Sequence, residues 1–288
     1  MVARPSSSSR RVIEHDYMAV KRCRHGWMMF NTQDEFVGRS LDLYGEWGQS
    51  ELTLLDHFLE PGAVVLDVGA NIGTHTLRFA EQVGPEGMVI AFEPQRLSHQ
   101  MLSGNVALNG LTNVVCVAAA VSDVPGVAHV PRLDPRKSAN FGAVRMADEA
   151  GADDLDTVDA VTLDGIELPS CRLIKVDVEG MERKVLAGAR KTIERFGPAL
   201  FLENNTLRGS TPLLHAVRDL GYAAYWHIAP YFHANNWFGV HENVFAAYRP
   251  EANILCVPKE VRIEGMVAAN MDDDDWQRAL LRSARGGL

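Results

Sequence analysis

The sequence feature that most constrains the fold is the loop 67–73, which reads Asp-Val-Gly-Ala-Asn-Ile-Gly and directly follows the apolar run 64–66. The β-branched residues of this run are typical of a strand buried on both faces of a parallel sheet. Gly69 and Gly73 allow the backbone to turn sharply and to approach a ligand closely, because they have no Cβ atom. Asn71 tolerates left-handed backbone conformations better than most residues. The segment therefore predicts a nucleotide-bearing ligand at the end of a strand.

Two carboxylates narrow the choice of ligand. Glu93 follows a predicted strand at 88–92, where it can accept hydrogen bonds from both hydroxyls of a ribose. Asp67 lies at the tip of the first strand, where it can meet a cationic amino group directly or through water. A dinucleotide site requires a third glycine that is missing here, whereas S-adenosylmethionine carries an ammonium, a sulfonium and a ribose diol but no phosphate. We therefore predict S-adenosylmethionine as the cofactor. The predicted cofactor residues of this region are Asp67, Gly69, Ala70, Asn71, Gly73 and Glu93.

The composition excludes several classes of partner. The chain has 288 residues, of which 47% are hydrophobic, so it can bury a sizeable core. Its formal charge of −9 argues against a nucleic acid as the main partner, because phosphate binding needs a basic surface. The four cysteines are far apart and form no C-x-x-C pair, which argues against a zinc site or a disulfide framework. No apolar run approaches the roughly 20 residues that cross a bilayer, so we expect a cytoplasmic protein without a membrane span.

Short apolar runs alternate with helical patterns from residue 64 onward, which predicts βαβ units and a doubly wound α/β sheet. We expect a disordered tail at 1–12, an N-terminal extension at 13–60 that packs on the sheet, the sheet domain at 61–258 and a C-terminal tail at 259–288. The polar, glycine-rich segment 125–155 is interpreted as an excursion over the end of the sheet.

Individual elements follow from the same patterns. Thr74 is predicted as the N-cap of a helix at 76–83. A third strand is expected at 114–120, and the last, antiparallel strand at 243–248. The run of four aspartates at 272–275 is interpreted as a solvated charged face.

Three segments together resemble the FkbM-type S-adenosylmethionine-dependent methyltransferases. They are Val-Leu-Asp-Val-Gly-Ala-Asn-Ile-Gly-Thr-His-Thr at 65–76, Ala-Phe-Glu-Pro at 91–94 and Ile-Lys-Val-Asp-Val-Glu-Gly-Met-Glu at 174–182. Their order and spacing match, and the resemblance covers about residues 40–250. It implies a class I methyltransferase fold, Rossmann-like, with a mostly parallel sheet of seven strands whose last strand is antiparallel. The activity it implies is usually O-methylation of a sugar or polyketide hydroxyl.

Methyl transfer to a hydroxyl is an in-line displacement in which a base or a metal ion must help to remove the proton. Asp177 lies at the end of one predicted strand, and Glu203 and Asn204 follow the next. The arrangement is similar to the acidic and amide ligands of metal-dependent enzymes such as catechol O-methyltransferase, and oxygen ligands suit Mg²⁺. We predict Asp177 and Glu203 as catalytic, and leave open that they bind Mg²⁺ together with Asn204. The alternative makes Asp177 a cap and Glu203 an ion-pair partner.

Four further residues complete the predicted site. Lys175 shares a side of its strand with Asp177 and can pair with a carboxylate or steady a developing oxyanion. His241 is a candidate base, since histidine titrates near neutral pH. Following the family pattern, Glu46 is expected over the methionine end of the cofactor and Asp123 beside the adenine.

These residues predict an O-methyltransferase that acts on a carbohydrate or polyketide-type metabolite. The aromatic, amide-rich segment 225–238 suits such an acceptor, and its alternative is a packed hairpin. Two other functions are alternatives, a nicotinamide-dependent oxidoreductase and a non-catalytic cofactor-binding scaffold. We expect a small-molecule or glycan acceptor and no nucleic acid, and a homo-oligomer is compatible with the sequence.

Overall fold

The computed structural model describes residues 11–146 and 154–284, so most of the predicted tail at 1–12 lies outside the described residues. The strands are β1 (Ile13–His15), β2 (Met18–Cys23), β3 (Gly26–Asn31), β4 (Val64–Val68), β5 (Met88–Phe92), β6 (Val114–Val117), β7 (Ala119–Val121), β8 (Gly126–Pro131), β9 (Leu155–Val161), β10 (Leu173–Val176), β11 (Ala199–Glu203), β12 (Tyr222–Ala229), β13 (Glu251–Pro258) and β14 (Val267–Ala268). The α-helices are α1 (Val37–Tyr44), α2 (Gln49–Leu55), α3 (Thr74–Val83), α4 (Arg96–Leu108), α5 (Glu182–Ala187), α6 (Arg190–Phe196), α7 (Leu207–Asp219) and α8 (Trp276–Ala284). Short 3₁₀ helices lie at Asp56–Phe58 and Leu163–Gly165.

The central sheet has eight strands in the order β14-β12-β13-β11-β10-β4-β5-β6. Strands β6, β5, β4, β10 and β11 are parallel to one another, and β13 is antiparallel to both of its neighbours. The predicted doubly wound α/β sheet, mostly parallel with one antiparallel strand among its seven main strands, is therefore confirmed. The short β14 adds an eighth strand beside β12.

Helices cover both faces of this sheet, which explains why its strands are continuous apolar runs rather than alternating ones. On one face, Leu52 of α2 and Phe79 of α3 pack with Phe201 of β11. On the other, Leu214 of α7 packs with Ile174 of β10. Each of these side chains is almost fully buried, and burial of such a side chain contributes about 1.5–3 kcal/mol.

The strand predicted at 114–120 is wrong in its extent, because two strands of different sheets share this run. Strand β6 ends at Val117 and pairs with β5 in the central sheet, whereas β7 pairs with β9 in a separate three-stranded sheet with β8. The backbone N–H of Glu93 donates to the Val117 carbonyl at 3.0 Å, and the chain then leaves the central sheet. Both halves of the run are apolar, so hydrophobicity alone does not reveal the change of sheet.

The antiparallel strand predicted at 243–248 is also wrong, since this segment forms turns and the antiparallel strand is β13. Phe245 and Tyr248 pack their rings against Phe36 instead. Their contacts with other side chains, rather than a sheet, account for the aromatic residues that suggested a strand. In β13 the interior positions 252–257 are all buried, as expected for a strand between two others.

Strands β8 and β9 are antiparallel and lie at the two ends of the segment 125–155. Residues 147–153 of that segment are outside the described residues. The chain passes directly from β6 of the central sheet to β7 of this small sheet. Val121 of β7 and Val130 of β8 line the cavity described below.

Residues of the N-terminal extension form the antiparallel sheet β1-β2-β3, which contacts α4. Asn105 of α4 and Asn109, the residue after the helix, bind the backbone of β3. Asn105 accepts a hydrogen bond from the Met29 N–H at 2.6 Å, and Asn109 accepts one from the Trp27 N–H at 2.8 Å. The extension is therefore attached to α4 and its C-terminal end by hydrogen bonds between asparagine side chains and the backbone of β3, as well as by apolar contacts.

The aspartate run at 272–275 is not simply a solvated face, because Asp274 is 1% exposed. Its carboxylate accepts hydrogen bonds from Trp226 Nε1 of β12 at 3.0 Å and from Arg282 of α8 at 2.6 Å. A buried carboxylate needs such partners.

Among the helices that the structure describes, none has both the length and the apolar character needed to cross a membrane.

Candidate active site

A cavity of about 1140 Å³, counting the space at its open mouth, lies at the carboxyl ends of β4, β5, β10 and β11. The order of strands along the chain reverses between β4 and β10, and ligands of open α/β sheets bind outside such a reversal. The predicted residues that line the cavity are Gly69, Ala70, Asn71, Glu93, Lys175, Asp177 and Glu203.

The first glycine of the loop allows close packing between two strand ends. Gly69 has φ 78°, and a Cβ atom there would lie 1.8 Å from the carbonyl oxygen of Asp177. The N–H groups of Gly69 and Ala70 both donate to the Phe92 carbonyl at 3.0 Å. A side chain at position 69 would therefore push β10 away from the loop.

The second glycine begins the helix that follows. Gly73 has φ 90° and is the residue before α3, so Thr74, predicted as the N-cap, is instead the first helical residue. A Cβ atom at Gly73 would lie 2.7 Å from the side chain of Leu102, and Gly73 does not line the cavity. Between the glycines, Asn71 has φ 50°, the left-handed conformation that the sequence predicts for it.

Glu93 is fixed by the backbone at the wall of the cavity. One carboxylate oxygen accepts a hydrogen bond from the Asn71 N–H and the other from the Gln95 N–H, each at 2.8 Å. Each oxygen retains a second lone pair that can accept from a ligand hydroxyl. Burial raises the pKa of Glu93 to about 7, against the opposing effect of the two N–H groups. The predicted role of accepting both hydroxyls of a ribose stays a prediction.

Lys175 and Asp67 form a buried pair below the cavity. Asp67 is fully buried, accepts a hydrogen bond from Thr76 Oγ1 at 2.6 Å and has Lys175 Nζ 3.5 Å from its other oxygen. Lys175 Nζ is also 3.5 Å from the carboxylate of Asp177. Burial disfavours the charged amine, but the carboxylates of Asp67 and Asp177 outweigh burial and raise the pKa of Lys175. Lys175 lines the cavity and Asp67 does not, so the amine separates the predicted carboxylate from a ligand.

Three carboxylates lie together at the far wall of the cavity, and we call Asp177, Glu179 and Glu203 the acidic group. One oxygen from each lies within 4.8 Å of the other two. Burial and the neighbouring Asp177 raise the pKa of Glu179 to about 7, and the same two causes raise the pKa of Glu203 well above its ordinary value. Asn204, predicted as a metal ligand, is outside this group because it donates to Ser210 Oγ at 3.0 Å. The suggestion of Mg²⁺ stays a prediction.

Glu46 lies outside the cavity, although the family pattern placed it over the cofactor. Its carboxylate is buried and accepts hydrogen bonds from Arg24 at 2.6 Å and from the Trp237 N–H at 2.7 Å, and it contacts His233 at 3.0 Å. These partners occupy the hydrogen-bonding positions of the Glu46 carboxylate. The adjacent Trp47 lines the cavity instead, so the segment approaches the cofactor region through a different residue.

Asp123 and His241 also lie away from the cavity. Asp123 is exposed, and a hydrogen bond from the Ser122 hydroxyl lowers the pKa of its carboxyl. The cavity is lined by the preceding Val121, so backbone and apolar atoms of β7 take the place expected for Asp123. His241 is exposed in the segment before β13, and the predicted role as a base has no geometric support.

Glu251 and Tyr231 are among the lining residues that the sequence analysis does not assign individually. Glu251 begins β13 and lies near the acidic group, and burial and the neighbouring Glu51 raise its pKa well above the ordinary value. It was missed because the antiparallel strand was expected at 243–248. Tyr231 stacks on Trp47 with ring centroids 5.4 Å apart. Its segment, 225–238, was the one whose aromatic residues suggested an acceptor site.

The raised pKa of Glu203 predicts a measurable effect on stability. Because its folded pKa exceeds its unfolded value, the folded state binds the proton more tightly, and stability is lost as the pH rises from the unfolded value through the folded one. We expect Glu203→Gln to be more stable than the natural chain by about 1 kcal/mol or more at pH 8, and no more stable at pH 4.5. Urea unfolding at both pH values measures this, with the exposed Glu167→Gln as the control. An equal gain at both pH values would contradict it.

The sequence is similar to a known protein family and to several known proteins. Residues 67–224, more than half of the chain, match the family described as the methyltransferase FkbM domain. Hexuronic acid methyltransferase AglP of Haloferax volcanii is 30% identical over 161 residues, which are 56% of this chain and 63% of that protein. The chain thus spans less than two thirds of that relative's length.

Two further proteins show the range of similarity. The 2-O-methyltransferase NoeI of Sinorhizobium fredii is 28% identical over 183 residues, covering 56% of this chain and 72% of that protein. Among solved structures, the methyltransferase FkbM of Methylobacillus flagellatus is 18% identical with a TM-score of 0.42, covering 69% of this chain and 44% of that one.

Proposed function

The chain belongs to the FkbM methyltransferase family, and from that premise we propose that it transfers the methyl group of S-adenosylmethionine to a hydroxyl oxygen of a carbohydrate. The single observation that carries the proposal is the position of Glu93. The carboxylate of Glu93, which can accept from the hydroxyls of a ribose, lies on one wall of the cavity. The acidic group lies in the same cavity. Family membership argues against the nicotinamide-dependent oxidoreductase considered above.

The residues of the cavity fit the donor. Both oxygens of Glu93 are oriented by backbone N–H groups and can accept from a ribose diol. The ammonium and sulfonium of the donor are cations, and the carboxylate of Asp177 lies in the cavity wall. The stacked rings of Trp47 and Tyr231 offer an apolar surface beside it.

The donor supplies a methyl group bound to a positively charged sulfur. We assign Asp177 as the base that accepts the proton of the acceptor hydroxyl while the hydroxyl oxygen forms its bond to the methyl carbon and the bond from that carbon to the sulfur breaks, which leaves S-adenosylhomocysteine. The side chain of Asp177 is 37% exposed and lines the cavity, so an acceptor can reach it. Lys175, with Nζ 3.5 Å from the carboxylate, orients Asp177. Glu203 is the second residue in contact with the acceptor.

The names of the relatives support the proposed acceptor. One is named for hexuronic acid and the other for a 2-O position. Both names are compatible with a sugar hydroxyl, and the polyketide-type acceptor suggested by the sequence has no corresponding support. A cofactor-binding scaffold without catalysis remains the competing function.

Transfer to sugars can be tested by mass spectrometry. The full chain is incubated with S-adenosylmethionine and a panel of mono- and oligosaccharides, and the products are searched for a gain of about 14 Da, the mass of one added CH₂. We expect the gain on at least one sugar, together with formation of S-adenosylhomocysteine. Donor binding by calorimetry without transfer to any sugar would favour the scaffold, and absence of donor binding would reject both.

Replacing the proposed base separates catalysis from binding. We expect Asp177→Asn to reduce kcat by roughly 100-fold or more, in the range for loss of a general base, with S-adenosylhomocysteine affinity changed less than about threefold. Asp123→Asn is the matched control, since Asp123 is exposed and lies outside the cavity, and it should retain normal turnover. If Asp177→Asn keeps normal kcat, Asp177 is not the base.

A further inference from the structure

A second cavity adjoins the first at the acidic group. It encloses about 1200 Å³, counting open space, and shares Glu179, Glu203 and Tyr231 with the first cavity. A ligand in the second cavity therefore contacts the residues where methyl transfer is proposed. Its size suits an acceptor the size of a sugar or a short oligosaccharide.

Four arginines from four separate segments line this second cavity. Arg183 belongs to α5 and Arg208 to α7, whereas Arg145 and Arg249 lie in connecting segments. Arg249 is held in place by a hydrogen bond from Nη1 to the Asn205 carbonyl at 3.0 Å. Guanidinium groups bind carboxylates and phosphates through paired hydrogen bonds.

Within 11–146 and 154–284, none of these four arginines forms an ion pair, although other arginines of the chain do, for example Arg132 with Asp156 at 2.7 Å. The chain as a whole carries a formal charge of −9, so a convergence of four cations in one cavity runs against its overall charge. Like charges brought together without a partner repel, and an anionic ligand would relieve that repulsion.

The backbone adds positive potential at the same place. The N-terminus of α7 faces the second cavity, which is lined by Thr206, Arg208 and Gly209. No side chain caps this terminus, so its first N–H groups are free of a capping oxygen. The N-terminus of a helix of 13 residues favours an anion.

The carboxyl groups of the second cavity oppose this potential less than their number suggests. Burial raises the pKa of Glu182, and burial together with Asp177 raises the pKa of Glu203. A protonated carboxyl carries no charge and can donate a hydrogen bond to a ligand. The four arginines outnumber the three carboxyl groups of this cavity, Glu179, Glu182 and Glu203, even when every carboxyl is ionised.

We propose that the second cavity binds the acceptor and that the acceptor is an acidic sugar, whose carboxylate or phosphate is held by Arg145, Arg183, Arg208 and Arg249. This inference rests on the proposed transfer to a carbohydrate and specifies its substrate class. The anionic group lies on the arginine side of the cavity, and the hydroxyl to be methylated faces Asp177 and Glu203. Arginine thus selects the sugar, and the acidic group takes part in the reaction.

The test compares three probes with the full chain saturated in S-adenosylhomocysteine. They are p-nitrophenyl glucuronide, p-nitrophenyl glucoside 6-phosphate and the neutral p-nitrophenyl glucoside. We expect calorimetry to give at least one anionic probe an affinity about tenfold or more above that of the neutral probe, with a preference that declines as salt is added. The probe that binds identifies whether the group is a carboxylate or a phosphate.

Reversing the charge of two arginines tests whether they form the binding site for the anionic probe. The double variant Arg183→Glu/Arg208→Glu changes exposed side chains and should abolish the preference for the anionic probe, whereas Arg190→Glu on α6, outside both cavities, should retain it. Equal affinities for all three probes, or a preference that survives the double variant, would overturn the inference. Methylation of neutral sugars only would leave the proposed function standing and reject the acidic acceptor. Arginine-dependent anion binding without any methyl transfer would reject the proposed function instead.

Discussion

Replacing Glu93 by Ala is expected to weaken binding of S-adenosylhomocysteine by a factor of roughly 100 or more. The carboxylate is positioned to accept from both hydroxyls of a ribose, and each hydrogen bond to a charged group contributes about 1.5–3 kcal/mol. The substitution also leaves the N–H groups of Asn71 and Gln95, each bonded to Glu93 at 2.8 Å, without their acceptor. Calorimetric titration measures the affinity, and thermal unfolding verifies that the variant is folded.

Two comparisons distinguish a direct contact from a structural effect. Glu86→Ala, at an exposed position before β5, should bind S-adenosylhomocysteine normally. Because burial raises the pKa of Glu93 to about 7 and a ribose diol requires the ionised form, affinity should increase between pH 6 and pH 8. Glu93→Gln should lose this pH dependence. A dependence that persists in the Gln variant would show that another group is responsible.

Replacing Lys175 by Met is expected to destabilise the chain by about 3–5 kcal/mol, because it leaves Asp67 as a buried charge without its counterion. Lys175 is 3% exposed and Asp67 is fully buried, so solvent screens their interaction only weakly. The remaining hydrogen bond, from Thr76 to Asp67, does not neutralise the charge. Urea unfolding at pH 7 measures the free energy of unfolding.

A compensating substitution tests this explanation. Adding Asp67→Asn to Lys175→Met removes the unpaired charge, and the double variant should recover most of the lost stability while retaining the hydrogen bond from Thr76. Lys191→Met, on the exposed side of α6, should change stability by less than about 0.5 kcal/mol. A loss below about 1 kcal/mol in the single variant would mean that the pair contributes little.

The central fold, the conformation of the loop 67–73 and the place of Glu93 at the end of β5 could be predicted because they depend on local patterns. The apolar run at 64–66, the glycines and the carboxylate Glu93 lie in short segments whose backbone conformation is decided nearby. Gly69 and Asn71 indeed have the positive φ that the loop requires. The order of the strands then follows from right-handed βαβ connections, which leave few alternatives.

The acceptor side depends on contacts between distant segments, which one sequence does not encode in any local pattern. Glu251 reaches the cavity only because β13 inserts between β11 and β12. Glu46 is held outside the cavity by hydrogen bonds from Arg24 and from Trp237, which is 191 residues away along the chain. The four arginines of the second cavity are unremarkable individually and become a group only when the chain has folded.

The contact between Gly69 and the Asp177 carbonyl joins the donor loop directly to the strand end that carries the proposed base. The distance between the donor loop and the proposed base is therefore fixed by this backbone contact and not by any side chain of the second cavity. The arginine-bearing segments around Arg145, Arg208 and Arg249 belong to connecting regions and a helix start outside that contact. Acceptor choice can thus diversify, in evolution or by engineering, through exchange of those segments while the methyl-transfer geometry is preserved.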